Sequence, residues 1–184
     1  ALERGEGAVE VVAVDVAADA GDGGVVGVLP EDPVAPARRQ RRTRGAPVGG
    51  DEPVAAEAAA RETGKVCACA NDNAPGQVVV SGHKEAVERA IALAAEQGAK
   101  RSVLLPVSAP FHCALMKPAA DAMGEALEKT KLSVPSVPLI ANVTAQPVSD
   151  PETIRRLLVE QVTATVRWRG SIETMKAEGV TRIF

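Results

Sequence analysis

The sequence predicts an α/β protein made of two different parts. In the first part, a helix, two strands, a helix and a strand follow one another. In the second part, strands alternate with helices, which is typical of a parallel sheet covered by helices. The pattern changes near His112, where a proline-bounded apolar run gives way to a helical repeat. We therefore expect three segments, covering residues 1–50, 51–109 and 110–184.

Residues 1–50 are an atypical segment. From Ala1 to Thr63 only ten residue types occur, and serine, isoleucine, phenylalanine, lysine and histidine are all absent. The segment has no aromatic residue and an arginine run between residues 38 and 44. Such a composition is typical of a low-complexity or disordered arm. A segment read out of frame is the alternative, because all ten types can be written with GC-rich codons.

Residues 51–109 begin with an alanine-rich stretch, 51–62, that predicts a helix. Strands are expected over 65–70 and 77–81, and the turn-forming residues 71–76 between them predict a hairpin. A second helix ends at about residue 97, before a glycine, and a strand follows over 102–107.

One more strand before this series would complete a ferredoxin-like βαββαβ unit. That first strand would have to come from residues 1–50.

Residues 110–184 carry a helical apolar face from Met116 to Leu127 and a short strand over 137–141. Asp150 and Pro151 predict a helix start, with a helix to about residue 161. A further helix is expected over 168–178 and a last strand over 180–184. A final strand without a following helix predicts that the natural sequence continues.

His112 is the first candidate for chemistry. A histidine placed between a strand and a helix is suited to acid–base catalysis, whereas a strand-end or capping role is the alternative. The chain has an odd number of cysteines, and all of them lie in apolar runs: Cys67, Cys69 and Cys113. This favours reduced thiols in a cytoplasmic protein. Their spacing with His83 and His112 matches no usual zinc pattern, so no metal is expected. A Cys113–His112 dyad is disfavoured because adjacent side chains diverge.

Charge and hydropathy exclude two kinds of partner. The net charge of −3 gives no electrostatic reason to expect nucleic acid. No apolar run approaches the roughly 18 residues of a membrane span. We therefore expect neither nucleic acid nor membrane as a partner.

Three motifs occur in one order along the chain. They are Asn71-Asp72-Asn73-Ala74-Pro75-Gly76-Gln77-Val78-Val79-Val80-Ser81-Gly82, the run from Pro106 to Met116, and Val159-Glu160-Gln161 followed by Val166-Arg167-Trp168. Together they resemble the malonyl-CoA:acyl-carrier-protein transacylases over residues 64–184.

The resemblance implies an α/β-hydrolase-like large domain, incomplete here, that carries a ferredoxin-like small domain. It implies ping-pong transfer of malonyl from malonyl-CoA to the thiol of acyl carrier protein in fatty acid synthesis, without a cofactor. A serine on a Gly-His-Ser-x-Gly turn is the nucleophile in that family.

By the same resemblance, His112 is the general base and the backbone carbonyl of Gln161 orients its ring. Phe111 lines the acyl pocket and favours malonyl over a branched group; ordinary core packing is the other explanation of Phe111. The chain departs from the family in one decisive respect, because Gly-His-Ser-x-Gly occurs nowhere in it and no serine precedes Ser81. We therefore expect an inactive fragment. A non-catalytic module that binds carrier protein or coenzyme A and one half of a split acyltransferase are the alternatives.

Overall fold

The structure is a computed structural model that describes residues 9–16 and 52–183. Its strands are β1 (Val9–Val16), β2 (Cys67–Ala74), β3 (Gln77–His83), β4 (Ala99–Leu104), β5 (Leu139–Ala141) and β6 (Gln146–Val148). Its helices are α1 (Glu52–Thr63), α2 (Lys84–Glu96), α3 (Lys117–Glu128), α4 (Pro151–Gln161) and α5 (Trp168–Ala177), with a short 3₁₀ turn at Ala114–Met116. The architecture is α/β, as predicted.

The first unit is a four-stranded sheet in the order β2-β3-β1-β4. All three pairings are antiparallel, and β1 lies between β3 and β4. The strand that the pattern required is therefore supplied by Val9–Val16, within the atypical segment. Residues 1–8 and 17–51, on which the low-complexity and out-of-frame interpretations also rest, lie outside the described residues.

Helices α1 and α2 pack on this sheet through small side chains. Their buried residues include Ala56 and Ala59 on α1 and Val87 on α2, which meet Val78 and Val80 of β3. Alanine lets the helices approach each other closely and costs little side-chain entropy. The core of this unit therefore forms without any aromatic side chain among its buried residues.

The hairpin was predicted, but its strands are longer than expected. Strand β2 continues through the residues that the sequence marks as a turn, and only Pro75 and Gly76 remain between β2 and β3. The register of β2 against β3 shifts between Cys69 and Asn71 and again between Asp72 and Ala74. Such bulges accommodate turn-forming residues inside a strand.

In the second unit, β5 and β6 form an antiparallel pair, whereas the sequence predicted parallel strands. The tight turn between them is closed by the Ala145 amide, which donates to the Ala141 carbonyl at 2.7 Å. Ala145 adopts a left-handed backbone conformation with φ 56°. Strand β6 was missed because it has only three residues and contains a proline.

The strand predicted over 180–184 is wrong for the described residues 180–183. Gly179, with φ 85°, ends α5, and the Val180 amide donates to the Met175 carbonyl at 3.0 Å. The Gly179 amide donates to Lys176 at 3.2 Å, which completes a Schellman motif. Val180 is thus used to close the helix.

Candidate active site

His112 lies in the loop between β4 and α3. The sequence placed it at the end of a strand, but β4 ends at Leu104, eight residues earlier. Its backbone is left-handed, with φ 60°. Only a few per cent of non-glycine residues adopt this conformation, histidine more often than most, and such residues cluster at functional sites.

Buried groups on both sides hold the loop in place. Cys113 is fully buried, and its thiol donates to the Pro110 carbonyl at 3.2 Å. The Met116 amide donates to the Cys113 carbonyl at 3.0 Å, where the 3₁₀ turn begins. Cys113 thus anchors the chain directly after His112 and leaves the imidazole half-buried at the surface.

The His112 ring contacts a main-chain carbonyl far away in sequence. Its Nδ1 lies 2.9 Å from the Gln161 carbonyl oxygen. A carbonyl can only accept, so Nδ1 carries the proton and the lone pair is on Nε2. The geometry therefore presents a basic nitrogen directed away from Gln161.

Helix α4 positions that carbonyl. Gln161 is the last residue of α4, where carbonyls have no partner within the helix. The helix begins at the Asp150 cap, whose carboxylate accepts from the Thr153 amide at 2.7 Å. This hydrogen bond lowers the pKa of Asp150. Leu157 fixes the helix by packing against Ala141 and Val143.

Phe111 is 45 % exposed. Core packing therefore does not explain an aromatic residue at this position. Its role against the acyl group stays a prediction.

The three cysteines form no disulfide in the part of the chain that the structure describes. Burial raises the pKa of the Cys67 thiol to about 11, with a smaller contribution from Cys113. A thiol with such a pKa is almost entirely protonated at neutral pH and is a poor nucleophile. Within the described residues, 9–16 and 52–183, no group of three or more His, Cys, Asp or Glu side chains is placed to hold a metal ion. No helix in this part of the chain is long and apolar enough to cross a membrane.

The sequence did not reveal a second cluster, at the edge of β2. The Asp72 amide donates to the Val166 carbonyl at 2.9 Å, and the Val166 amide donates to the Ala70 carbonyl at 2.8 Å. Arg169 donates to one carboxylate oxygen of Asp72 from Nε at 3.1 Å and from Nη2 at 2.8 Å. A cavity of about 360 Å³ adjoins this contact, lined by Asn71, Asn73, Ala74, Gln77, Val166 and Trp168. Both sides of this contact lie in motifs quoted from the sequence, 71–82 and 166–168, but the polar run 71–73 was interpreted as a turn and no contact between the two motifs was inferred.

Comparison with known proteins places these residues in a family. The sequence model of the acyl transferase domain family matches residues 28–184. The malonyl CoA-acyl carrier protein transacylase of Salmonella typhimurium is 49% identical over 121 residues, which cover 66% of this chain and 39% of that protein. The transacylase of Bacillus subtilis is 45% identical over 120 residues, covering 65% and 38%. The chain thus matches about two fifths of the length of these relatives.

Solved structures agree. The acyl-carrier-protein S-malonyltransferase of Bartonella henselae superimposes with a TM-score of 0.72 at 42% identity, covering 95% of this chain and 45% of that one. A malonyl-transacylase in complex with a type II polyketide acyl carrier protein gives 0.73 at 32% identity, covering 96% and 47%. This chain belongs to the acyl transferase domain family.

Proposed function

We propose that this chain carries the histidine half of an [acyl-carrier-protein] S-malonyltransferase site. The observation that carries the proposal is the contact between His112 Nδ1 and the Gln161 carbonyl at 2.9 Å. The names of the relatives support malonyl-CoA as donor and acyl carrier protein as acceptor. The reaction also needs a serine nucleophile, and no Gly-His-Ser-x-Gly is present in the chain.

The residues present would perform the proton transfers. His112 Nε2 takes the proton of the serine hydroxyl as its oxygen attacks the malonyl thioester, and returns it to the departing coenzyme A thiolate. In the second half-reaction, Nε2 takes the proton of the carrier thiol, whose sulfur attacks the malonyl-serine ester, and returns it to the serine oxygen. Gln161 keeps the ring in the tautomer that both steps require. Phe111 lines the acyl pocket and disfavours a branched acyl group.

We assign the two units of the fold to the two domains of the family on the same basis. The strand order β2-β3-β1-β4 with antiparallel pairing supports a ferredoxin-like small domain. In the sequence, α1 lies between β1 and β2 and α2 lies between β3 and β4, and both helices pack on the sheet. Helices α3, α4 and α5 with the β5–β6 pair would then be part of an α/β-hydrolase-like large domain.

Two measurements test the proposal. The chain is incubated with malonyl-CoA, and its intact mass is recorded; we expect no stable malonyl adduct. The serine-bearing amino-terminal part of a transacylase relative is then added with holo acyl carrier protein, and we expect malonyl transfer that depends on His112.

His112→Ala is the test variant, and His83→Ala is the matched control, because His83 is the other histidine and lies in the first unit. A malonyl adduct on the chain alone would refute the statement that this chain lacks a nucleophile for malonyl. Restored transfer that survives His112→Ala would refute the role of His112.

A further inference from the structure

Arg169 and Asp72 form an ion pair that joins the two units of the protein. Strand β2 belongs to the first unit, whereas residues 165–169 lead from α4 into α5 in the second. The side chains are partly buried, with 30% and 24% exposed. Arg169 Nε and Nη2 both donate to Asp72 Oδ2, and the other carboxylate oxygen, Oδ1, is buried without a partner among the described residues.

This arrangement is an inefficient way to stabilise a fold. A buried carboxylate oxygen without a hydrogen bond costs desolvation free energy, which the ion pair has to offset. Ion pairs of this kind add little net stability but fix one geometry over others in some proteins. The question is which geometry this pair fixes.

The backbone next to the pair leads directly to Gln161. The segment 165–169 is held on the edge of β2 by the parallel bridge between Asn71 and Val166. The Thr165 hydroxyl also donates to the Cys69 carbonyl at 2.6 Å. Four residues earlier, the Gln161 side-chain amide donates to the Ala164 carbonyl at 2.9 Å and closes the turn after α4.

We propose that the Asp72–Arg169 pair is a positioning element for His112. By fixing residues 165–169 on β2, it keeps the last carbonyl of α4 within hydrogen-bond reach of His112 Nδ1. The proposal rests on the proposed function only for its catalytic meaning. Its structural prediction is that breaking the Asp72–Arg169 ion pair changes the tautomer of the His112 imidazole.

The two histidines of the chain make this measurable. The Val66 amide donates to His83 Nδ1 at 3.1 Å, so the proton of neutral His83 is on Nε2. His112 has the opposite tautomer, with the proton on Nδ1. A long-range ¹H–¹⁵N correlation spectrum of the imidazole rings, at a pH where both are neutral, therefore resolves two different patterns and contains its own reference.

The test compares Arg169→Met with Arg156→Met. Arg156 is an arginine on α4 that pairs with Glu160 at 3.1 Å, with both side chains largely exposed. Loss of one hydrogen bond changes a population ratio by about fivefold. We expect Arg169→Met to lower the ratio of Nδ1–H to Nε2–H in His112 by about that factor, with His83 unchanged and with no effect of Arg156→Met.

Asp72→Asn is the second variant, because it removes the charge without leaving a buried carboxylate unpaired; we expect the same shift in His112. The double variant Asp72→Arg with Arg169→Asp should restore part of the wild-type ratio. An unchanged His112 pattern in both single variants would overturn the proposal. Equal changes in His83 and His112 would also overturn it, because they would show that the pair only stabilises the fold.

Failure of this proposal is distinguishable from failure of the proposed function. The spectrum is recorded on the chain alone and requires no malonyl transfer. Restored transfer with an unchanged tautomer in the variants would refute the positioning role and leave the role of His112 standing. If the variants shift the His112 tautomer but wild-type chain restores no malonyl transfer, the positioning role stands and the proposed function is refuted.

Discussion

Gly82 provides the sharpest test of how the first unit is built. A Cβ atom at this position would lie 2.1 Å from the Val66 carbonyl oxygen and 2.8 Å from the Cys67 Cα. Both atoms belong to the main chain of the neighbouring segment, so no side chain can move aside. Gly82 does not adopt a left-handed conformation, and the requirement for glycine is therefore one of space.

We expect Gly82→Ala to destabilise the chain by about 3 kcal/mol. Overpacking against rigid surroundings costs roughly 1–3 kcal/mol. The strands must also separate, which breaks the 2.9 Å hydrogen bond from the His83 amide to the Val66 carbonyl and adds about 1 kcal/mol. For a chain of this size, the two contributions lower the melting temperature by roughly 6–12 °C.

Gly124→Ala is the matched control. Gly124 lies inside α3, and an added Cβ would meet only the Val159 Cγ2 atom at 3.9 Å. Alanine is favoured over glycine in a helix by up to about 1 kcal/mol, so this variant should be slightly more stable than the wild type. Urea unfolding, followed by circular dichroism, measures both. A Gly82→Ala variant within about 1 kcal/mol of the wild type would refute the packing argument.

Three further predictions concern the site and its supports. His112→Gly should be about 1 kcal/mol more stable to urea than His112→Ala, since alanine is strained at φ 60° and glycine is not; equal stabilities would contradict the strain. Folding raises the pKa of Cys67 to about 11, so its stabilising contribution is complete below about pH 8.5 and declines as the pH rises towards 11. Cys67→Ala should flatten this decline in urea titrations, and an unchanged slope would refute it. The pKa of Asp150 is lowered by Thr153, so the cap stabilises α4 above about pH 4 and is lost as the pH falls through the lowered value. Asp150→Asn should keep a cap without that acid-dependent loss, whereas Asp150→Ala should have less helix than the wild type above about pH 4 and approach it in acid; helical circular dichroism against pH measures both.

Local signals in the sequence predicted most of the helices. The Asp150–Pro151 start of α4 is present, because an acidic cap and a proline at the first position act through neighbouring atoms only. Gly179 ends α5 for the same kind of reason. Strand limits were less predictable. The run 71–73 consists of turn-forming residues, yet it extends β2 because Val166 supplies a partner for its edge.

The contacts that form the site could not be deduced from periodicity. His112 and Gln161 are 49 residues apart, and Arg169 is 97 residues from Asp72. The resemblance to transacylases predicted a role for the Gln161 carbonyl, but it assigned no role to Asp72 or Arg169. Only the fold brings the edge of β2 against the segment after α4.

The contacts that fix the backbone and the tautomer of His112 do not involve a nucleophile. The buried Cys113 thiol and the 3₁₀ turn hold the backbone on one side. On the other side, α4 ends at the carbonyl that selects the tautomer, and Leu157 fixes that helix. A neutral imidazole held in this way keeps its Nε2 lone pair whether or not a hydroxyl is opposite it. A serine supplied by another polypeptide would therefore meet a base that is already oriented, so reconstitution with and without His112→Ala tests the proposed function directly.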